Sequence, residues 1–395
     1  MKIVNGKHNT AKVYTNLVDD TTLEQIESFC NLEYLKDETI RIMPDTHFGK
    51  GVCIGFTSTY TNKVDPKMVG VDISCGVVCY DLGNINIDFE KLDKVIREKV
   101  PFGKTVNNKC ILSKAEEEEY TDKLRSMKAK NIQVERNILA IGSLGGGNHF
   151  IEINENDHGK KYLVIHTGSR HLGVEIESYY SSKLDDSFKK KAITDTIANL
   201  KSQGREKDIQ VAIEEIKKSI INEKFITGID LDNYIFDSEI AFEFASKNRH
   251  TIADTIIKNM GFNVLDSFET HHNYIDTKNK VIRKGAVSAN NGERFIMPIN
   301  MRDGSFIAIG KGNSDWNNSA PHGAGRILAR GEAHEVLDLD KYKADMKDVF
   351  STCVNEFTLD ESADAYKPLN NLIDNIYPTA DIYEHIRPIY NFKAN

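Results

Sequence analysis

Of the 395 residues only six are cysteines, and no two of them stand in the CxxC spacing of a zinc finger. Cys30, Cys53, Cys75, Cys79, Cys110 and Cys353 are too sparse to form a disulfide framework in so long a chain. Any of them with a task is expected to serve as a thiolate or a metal ligand. Uncharged apolar runs of membrane-spanning length are missing. The opening MKIVNGKHNTAKVYTNLVDD lacks the apolar core of a signal peptide, so a cytoplasmic location is expected. A basic excess is also missing: 51 Lys and Arg face 59 Asp and Glu, a formal net charge of −8. Such a chain does not coat nucleic acid nonspecifically. A polyanionic substrate would need cations supplied locally, as metal ions or a few Lys and Arg. No repeat, low-complexity segment or Pro/Ser/Gly-rich linker divides the chain.

What is present is the composition of a globular protein, 40% hydrophobic and 28% charged. The first 180 residues carry short strand-like runs (VCIGFTSTY, VVCYDL, HFIEI, KYLVIHTG) whose ends bear polar side chains. From about Ser181 to Met260 the apolar residues take helical spacing with charged faces. Strand-like runs return in KVIRKGAV, RFIMPI and SFIAIGKG, and the tail mixes helices with a short closing run, IRPIYNFKAN. The expectation is a single compact α+β domain over residues 1–395, with a β-rich core and an inserted helical excursion at about 181–260.

Several clusters can carry chemistry. In GVDISCG, Asp72 and Cys75 stand three apart, and a carboxylate and a thiolate so placed can share a pair of metal ions, the sulfur bridging both; a buried cysteine beside a turn aspartate also fits. In GSLGGGNHFIEI, three glycines allow close backbone approach to a ligand, and Asn148, His149 and Glu152 follow. On a strand His149 and Glu152 would face opposite ways, so a site using both needs a local irregularity. His166 ends an apolar run, with His171 beyond it as a supporting or structural residue. In ETHHNYID, His271 and His272 face opposite ways on an extended segment, so one of them is expected to ligate. This mixed O, N and S set is unlike a closed structural zinc site and suits a catalytic transition metal. Finally, Pro321-His322-Gly323-Ala324-Gly325 sets one histidine in a tight turn before RILA, which looks like a helix start. Such a turn is either structural or an anion site on a helix N-terminus. A local basic groove is expected from Arg170, Lys247 and Arg249, although the last two also read as a solvated helix face.

Taken in order, MPDTHFGKGVCIGF, VGVDISCG, GGGNHFIEI, HTGSRHLG, HHNY, RKGAVSA and HGAGR resemble the RtcB-type RNA ligases. The resemblance runs from about Met43 to Arg330 and is extended by the closing lysine-bearing strand. It implies a GTP- and manganese-dependent enzyme that joins an RNA 3'-phosphate or 2',3'-cyclic phosphate end to a 5'-hydroxyl through a histidine–GMP intermediate, here on His322. It carries the family's metal ligands onto Asp72, Cys75, His149, His166 and His272. Cys75 would bridge two ions, with Asp72 and His149 on one and His166 and His272 on the other. The guanylate pocket falls on Asn148, Glu152, Asn273, Pro298, Met301, Ser305, Gly323, Ala324, Gly325 and Lys393. Glu152 and Lys393 would hold the guanine edge, as acceptor and donor. Two departures stand out: Pro298-Ile299-Asn300-Met301 replaces the family's PGSM, and Ala394 and Asn395 follow Lys393. A metal-dependent cyclic phosphoesterase would need the metal cluster but not His322, Glu152 or Lys393. A noncatalytic RNA-binding relative would need none of them. The resemblance leaves open which RNA is joined and whether an activating protein takes part.

Overall fold

The computed structural model describes residues 1–218 and 224–394. Its centre is a seven-stranded sheet in the order Arg294–Asn300, Gly304–Gly310, Ala380–Lys393, Phe150–Glu155, Lys161–Thr167, Gly76–Gly83, Asp266–His271. Side-chain alternation of period two gives each strand two different faces. Val77, Cys79, Tyr162, Val164, Ile296, Ile307 and Ile386 form one apolar cluster. Their alternates Val78, Tyr80, Leu82, Ile151, Ile153, Leu163 and Ile165 form another, with Ile252, Ala253 and Ile256 of a covering helix. The two outer strands meet through side chains: the Ile296 amide donates to Thr270 Oγ1 at 3.1 Å. Arg294 pairs with Asp266 at 2.6 Å and lies over the Phe268 ring. The sheet therefore curls into a near-barrel and hides its edges.

Beside it lies a six-stranded sheet, ordered Lys2–Asn5, Thr10–Val13, Ile40–His47, Ile54–Thr59, Val281–Lys284, Asn273–Asp276. A two-strand ladder pairs Ala286–Ser288 with Ser319–Pro321. It delivers the chain into the Pro321–Gly325 turn.

Two 32-residue helices, His171–Ser202 and Ile229–Met260, fill the middle of the chain. The second buries Ala241, Phe244, Ala245, Asn248, Arg249, Ile252, Ala253 and Ile256, a stripe at three- and four-residue spacing. Each fully buried isoleucine of that stripe contributes about 1.5–3 kcal/mol. The helix stops at Gly261, whose φ of 70° is the left-handed value glycine reaches without strain. Among the described residues, no helix is long and apolar enough to cross a membrane.

Three expectations need correction. The helical segment begins at His171, ten residues before Ser181, and its second long helix packs on the barrel. Part of the SII run at its centre, residues 219–223, lies outside the described residues. No helix starts at RILA: Arg326 bridges to Tyr366, the Ile327 and Leu328 amides both donate to Ala365 O, and the next helix is Arg330–Val336. The closing run is the core strand of 14 residues, Ala380–Lys393, paired on both sides.

Candidate active site

The inward faces of the barrel strands carry polar side chains to one mouth. Asp72, Cys75 and His149 form one group of potential ligand atoms within 4.8 Å of one another, and Cys75, His166 and His272 form a second. Cys75 belongs to both. Its Sγ lies 3.2 Å from His166 Nε2 and 3.5 Å from His149 Nε2. His149 Nε2 lies 3.1 Å from Asp72 Oδ2, and His166 Nε2 lies 3.4 Å from His272 Nε2.

The local backbone explains the convergence. Ser74, with φ of 58°, turns the chain so that the Cys75 amide donates to Asp72 O. His149 sits in the loop before strand Phe150–Glu155, where Gly145 and Gly147 take positive φ; this is the irregularity that lets His149 and Glu152 serve one cleft. His149 Nδ1 meets Leu144 O at 2.9 Å, and His166 Nδ1 meets Asn148 O at 3.2 Å. Carbonyl partners fix the proton on Nδ1, so the Nε2 lone pairs point inward. Gly168 is required: a Cβ there would lie 2.0 Å from Asp72 Oδ1.

Burial pushes His166 and His272 well below the usual imidazole range, so they are neutral. Burial, then the Asp72 charge, pushes the Cys75 thiol well above its ordinary value. Burial would raise Asp72 as well, but the neighbouring His149 imidazole holds it below the usual carboxylate range. Neutral imidazoles with converging lone pairs, a carboxylate and one shared sulfur are a donor set that fits two transition-metal ions. His271 faces away from this cluster: it hydrogen bonds Ser74 Oγ at 2.8 Å and stacks on Phe242.

His322 leaves the Ser319–Pro321 strand beside the cluster, its ring centroid 4.8 Å from that of His272. Its Nδ1 lies 2.6 Å from Asp45 Oδ2, and its backbone N–H donates to the same oxygen at 3.1 Å. Asp45 is fully buried and its Oδ1 has no hydrogen-bond partner. Gly325, at φ of 79°, lets the turn lie against Asp45, where a Cβ would come within 2.1 Å of the Asp45 carbonyl oxygen. Asp45 lies within the MPDTH run, which was read as a motif without a chemical role for the aspartate. A carboxylate aimed at a histidine 277 residues away leaves no local signal in one sequence.

A cleft of about 310 Å³ joins these groups, and Asp72, Cys75, His166, His272 and His322 all line it. So do Asn148, Glu152, Asn273, Pro298, Met301, Gly323, Ala324, Gly325 and Lys393. That lies within the range of small-molecule pockets. Ser305 is fully buried with an unpartnered Oγ, and its neighbour Gly304 reaches the wall instead. Asn273 uses its amide on Asp72 O and Gly285 N. Glu152 accepts from Asn391 at 2.7 Å and Asn154 at 3.1 Å, and burial lifts it to about 7. Lys393 does not meet Glu152. Its ammonium pairs at 2.6 Å with Glu361, both side chains being buried. Glu361 also takes Arg330 at 2.7 Å and the Tyr366 hydroxyl at 2.8 Å. Sequence reading missed Glu361, which lies in a tail segment without glycines or a histidine to mark it.

The proposed basic groove is not formed by the residues chosen. Arg249 is wholly buried and pairs with Glu269 at 2.5 Å. Lys247 is paired with Glu116. Arg170 donates inward to Ser143 Oγ at 3.1 Å and Gly103 O at 2.9 Å.

Comparison with known proteins gives one consistent family. The family model described as tRNA-splicing ligase RtcB matches residues 25–394. The chain is 28% identical over 339 residues to the RNA-splicing ligase RtcB1 of Escherichia coli (strain ATCC 25922), covering 76% of this chain and 77% of that one. It is 26% identical over 464 residues to the tRNA-splicing ligase RtcB of Methanococcus maripaludis, covering 95% and 91%. To the tRNA-splicing ligase RtcB of Thermococcus kodakarensis it is 22% identical over 466 residues, covering 98% and 94%.

Proposed function

The chain belongs to the RtcB family of tRNA-splicing ligases, and on that premise we propose that it is an RNA ligase with GTP as co-substrate and His322 as nucleophile. It joins an RNA 3'-phosphate, or a 2',3'-cyclic phosphate once opened, to a 5'-hydroxyl. The observation that carries this reading is the His322–Asp45 pair, with His322 sharing one cleft with four of the five donor residues, Asp72, Cys75, His166 and His272.

With its Nδ1–H given to Asp45, His322 keeps a lone pair on Nε2. That nitrogen attacks the α-phosphorus of GTP, and the bond to pyrophosphate breaks as the N–P bond forms. The Asp45 carboxylate offsets the positive charge that builds on the ring. An oxygen of the RNA 3'-phosphate next attacks the same phosphorus, and the imidazole leaves. The RNA 5'-hydroxyl then attacks the activated 3' end and expels GMP. The site would take manganese: Asp72, Cys75 and His149 would hold it at one position and Cys75, His166 and His272 at the other, and it would supply positive charge against the phosphoryl oxygens.

Glu152 reads the guanine N–H groups with the lone pairs its asparagine partners leave free. Lys393, shared with Glu361, donates to the guanine carbonyl. The remaining wall of the nucleotide site is assigned to Asn148, Asn273, Pro298, Met301 and the Gly323–Gly325 turn. RNA with these end groups is the macromolecular partner.

The test is incubation with GTP labelled at the α-phosphate, with manganese. The wild-type chain is expected to become covalently labelled, and His322→Ala is not. The variant should still seal an RNA whose 3' end already carries GMP. Label persisting on another residue of His322→Ala would overturn the assignment.

A further inference from the structure

Helix Ile229–Met260 places two consecutive side chains, Asn248 and Arg249, behind the donor cluster, and neither is exposed to solvent. Asn248 Oδ1 accepts from the amides of Gly142 at 2.8 Å and Ser143 at 3.1 Å, and its Nδ2 donates to Ser143 O and Gly168 O. Both acceptor sites and both donors of the amide are therefore in use. Arg249 Nη1 donates to Thr167 O at 2.6 Å and Ser74 O at 3.0 Å, while Nε pairs with Glu269. Its Nη2 lies 3.1 Å from His271 Nδ1.

Most of these partners adjoin a candidate ligand or a residue that holds one. Ser74 precedes Cys75, Thr167 follows His166, and His271 precedes His272. Gly168 abuts the Asp72 carboxylate. Ser143 precedes Leu144, whose carbonyl holds His149 Nδ1. Four chain segments distant in sequence thus meet at two side chains one residue apart.

We propose that Asn248 and Arg249 are positioning residues that set the spacing between the two metal positions. The inference rests on the metal-binding part of the function proposed above. A buried guanidinium is costly to desolvate, and well-packed apolar residues often stabilise as well or better. Its fan of bonds to carbonyls beside ligand residues is what an apolar side chain could not supply. There is little slack: a Cβ on Gly76 would meet Thr270 O at 2.3 Å and the Arg249 guanidinium carbon at 3.3 Å. Loss of either residue lets the segments shift independently, so the two positions lose their common geometry before the helix is lost.

The experiment uses the full chain stripped with a chelator, then titrated with manganese alone. Affinity is read by calorimetry, and coupling between two bound ions by electron paramagnetic resonance. Asn248→Ala and Arg249→Met are expected to raise the dissociation constant about 10–100-fold, the range seen when outer groups of metal sites are removed. They should also abolish the coupled signal. Arg249→Lys should recover part of the affinity. The manganese-induced rise in melting temperature provides a readout for variants with a low starting stability. A rise less than half that of the wild type supports the proposal, and a rise equal to it overturns the proposal. A variant that stays unfolded at saturating manganese also counts against it, because that marks a general scaffold role. A wild-type chain that binds no manganese would sink the metal reading itself; wild-type binding matched by all variants sinks only this inference.

Discussion

Asp45→Asn is the most discriminating single change in the site. Asp45 Oδ2 receives two donors of His322, the ring Nδ1–H and the backbone N–H. An asparagine would keep its carbonyl oxygen at that position, because only an acceptor satisfies both. Ring orientation and tautomer are then retained, and the loss is the negative charge opposite the imidazole. The amide nitrogen falls where Oδ1 now lies, buried and without a partner. That placement costs about 1–3 kcal/mol of stability as an unsatisfied donor. For catalysis, a charge-assisted hydrogen bond is roughly twice as strong as a neutral one. The lost difference of about 1–1.5 kcal/mol corresponds to a fall of roughly 5- to 13-fold in rate. Asp45→Ala also frees the ring to turn, and its loss should reach about 10³-fold or more, toward the effect of a misplaced tautomer in other histidine triads. The assay is single-turnover labelling with α-labelled GTP at saturating manganese, beside sealing of RNA already carrying a 3' GMP. Sealing of the activated RNA should be nearly unchanged. If Asp45→Asn is labelled within threefold of wild type while His322→Ala is inert, the carboxylate has no part in activating the nucleophile.

Cys75→Ala should abolish labelling and joining together, since both potential ion positions lose a ligand, and manganese should no longer raise its melting temperature; normal metal content with activity would refute the bridge. Gly168→Ala should weaken manganese binding at least tenfold with the fold retained, because the added methyl collides with Asp72; calorimetry with the metal alone decides. Burial opposes it, but Lys393 and Arg330 hold Glu361 down to about 2 in the folded chain, against an ordinary 4.5. Its contribution is thus fully present above pH 4.5 and is lost as pH falls toward 2. The shift amounts to about 3 kcal/mol. Glu361→Gln should lower stability at pH 7 by roughly 3 kcal/mol in urea titration and flatten the acid limb; an unchanged limb would show that the Lys393 pair is not coupled to folding.

Those residues differ in how far the sequence disclosed them. Strands at Gly76–Gly83, Phe150–Glu155 and Lys161–Thr167 were legible because alternating faces and glycine-bounded ends are local signals. Asp72, Cys75, His149 and His166 stood out because they sit in short glycine-bearing runs, and His272 because it is one of two adjacent histidines in ETHHNYID. Asp45 and Glu361 were not, since each acts through a partner that folding alone brings near. Arg249 was misread as a groove residue because Lys247 beside it is charged, and helical spacing alone does not say that one arginine of a polar run points inward to Glu269. RILA failed as a helix because the Arg326 bridge to Tyr366 and the donation of two successive amides to Ala365 O claim its backbone. The closing strand was read as too short because Asp381 and Glu384 break its apolar pattern while the ladder still runs through them.

That closing strand has a consequence for synthesis on the ribosome. Ala380–Lys393 forms the ladder between Gly304–Gly310 and Phe150–Glu155. Until residue 393 has been translated and has left the exit tunnel, both strands expose an unpaired row of amides and carbonyls. A stalled ribosome thus displays two open edges, each able to recruit strands from another nascent chain. The same delay postpones the Lys393–Glu361 pair and the last wall of the cleft. The cleft is therefore incomplete until Ala380–Lys393 has been made, and chaperones that shield strand edges should matter most during the interval before that strand inserts.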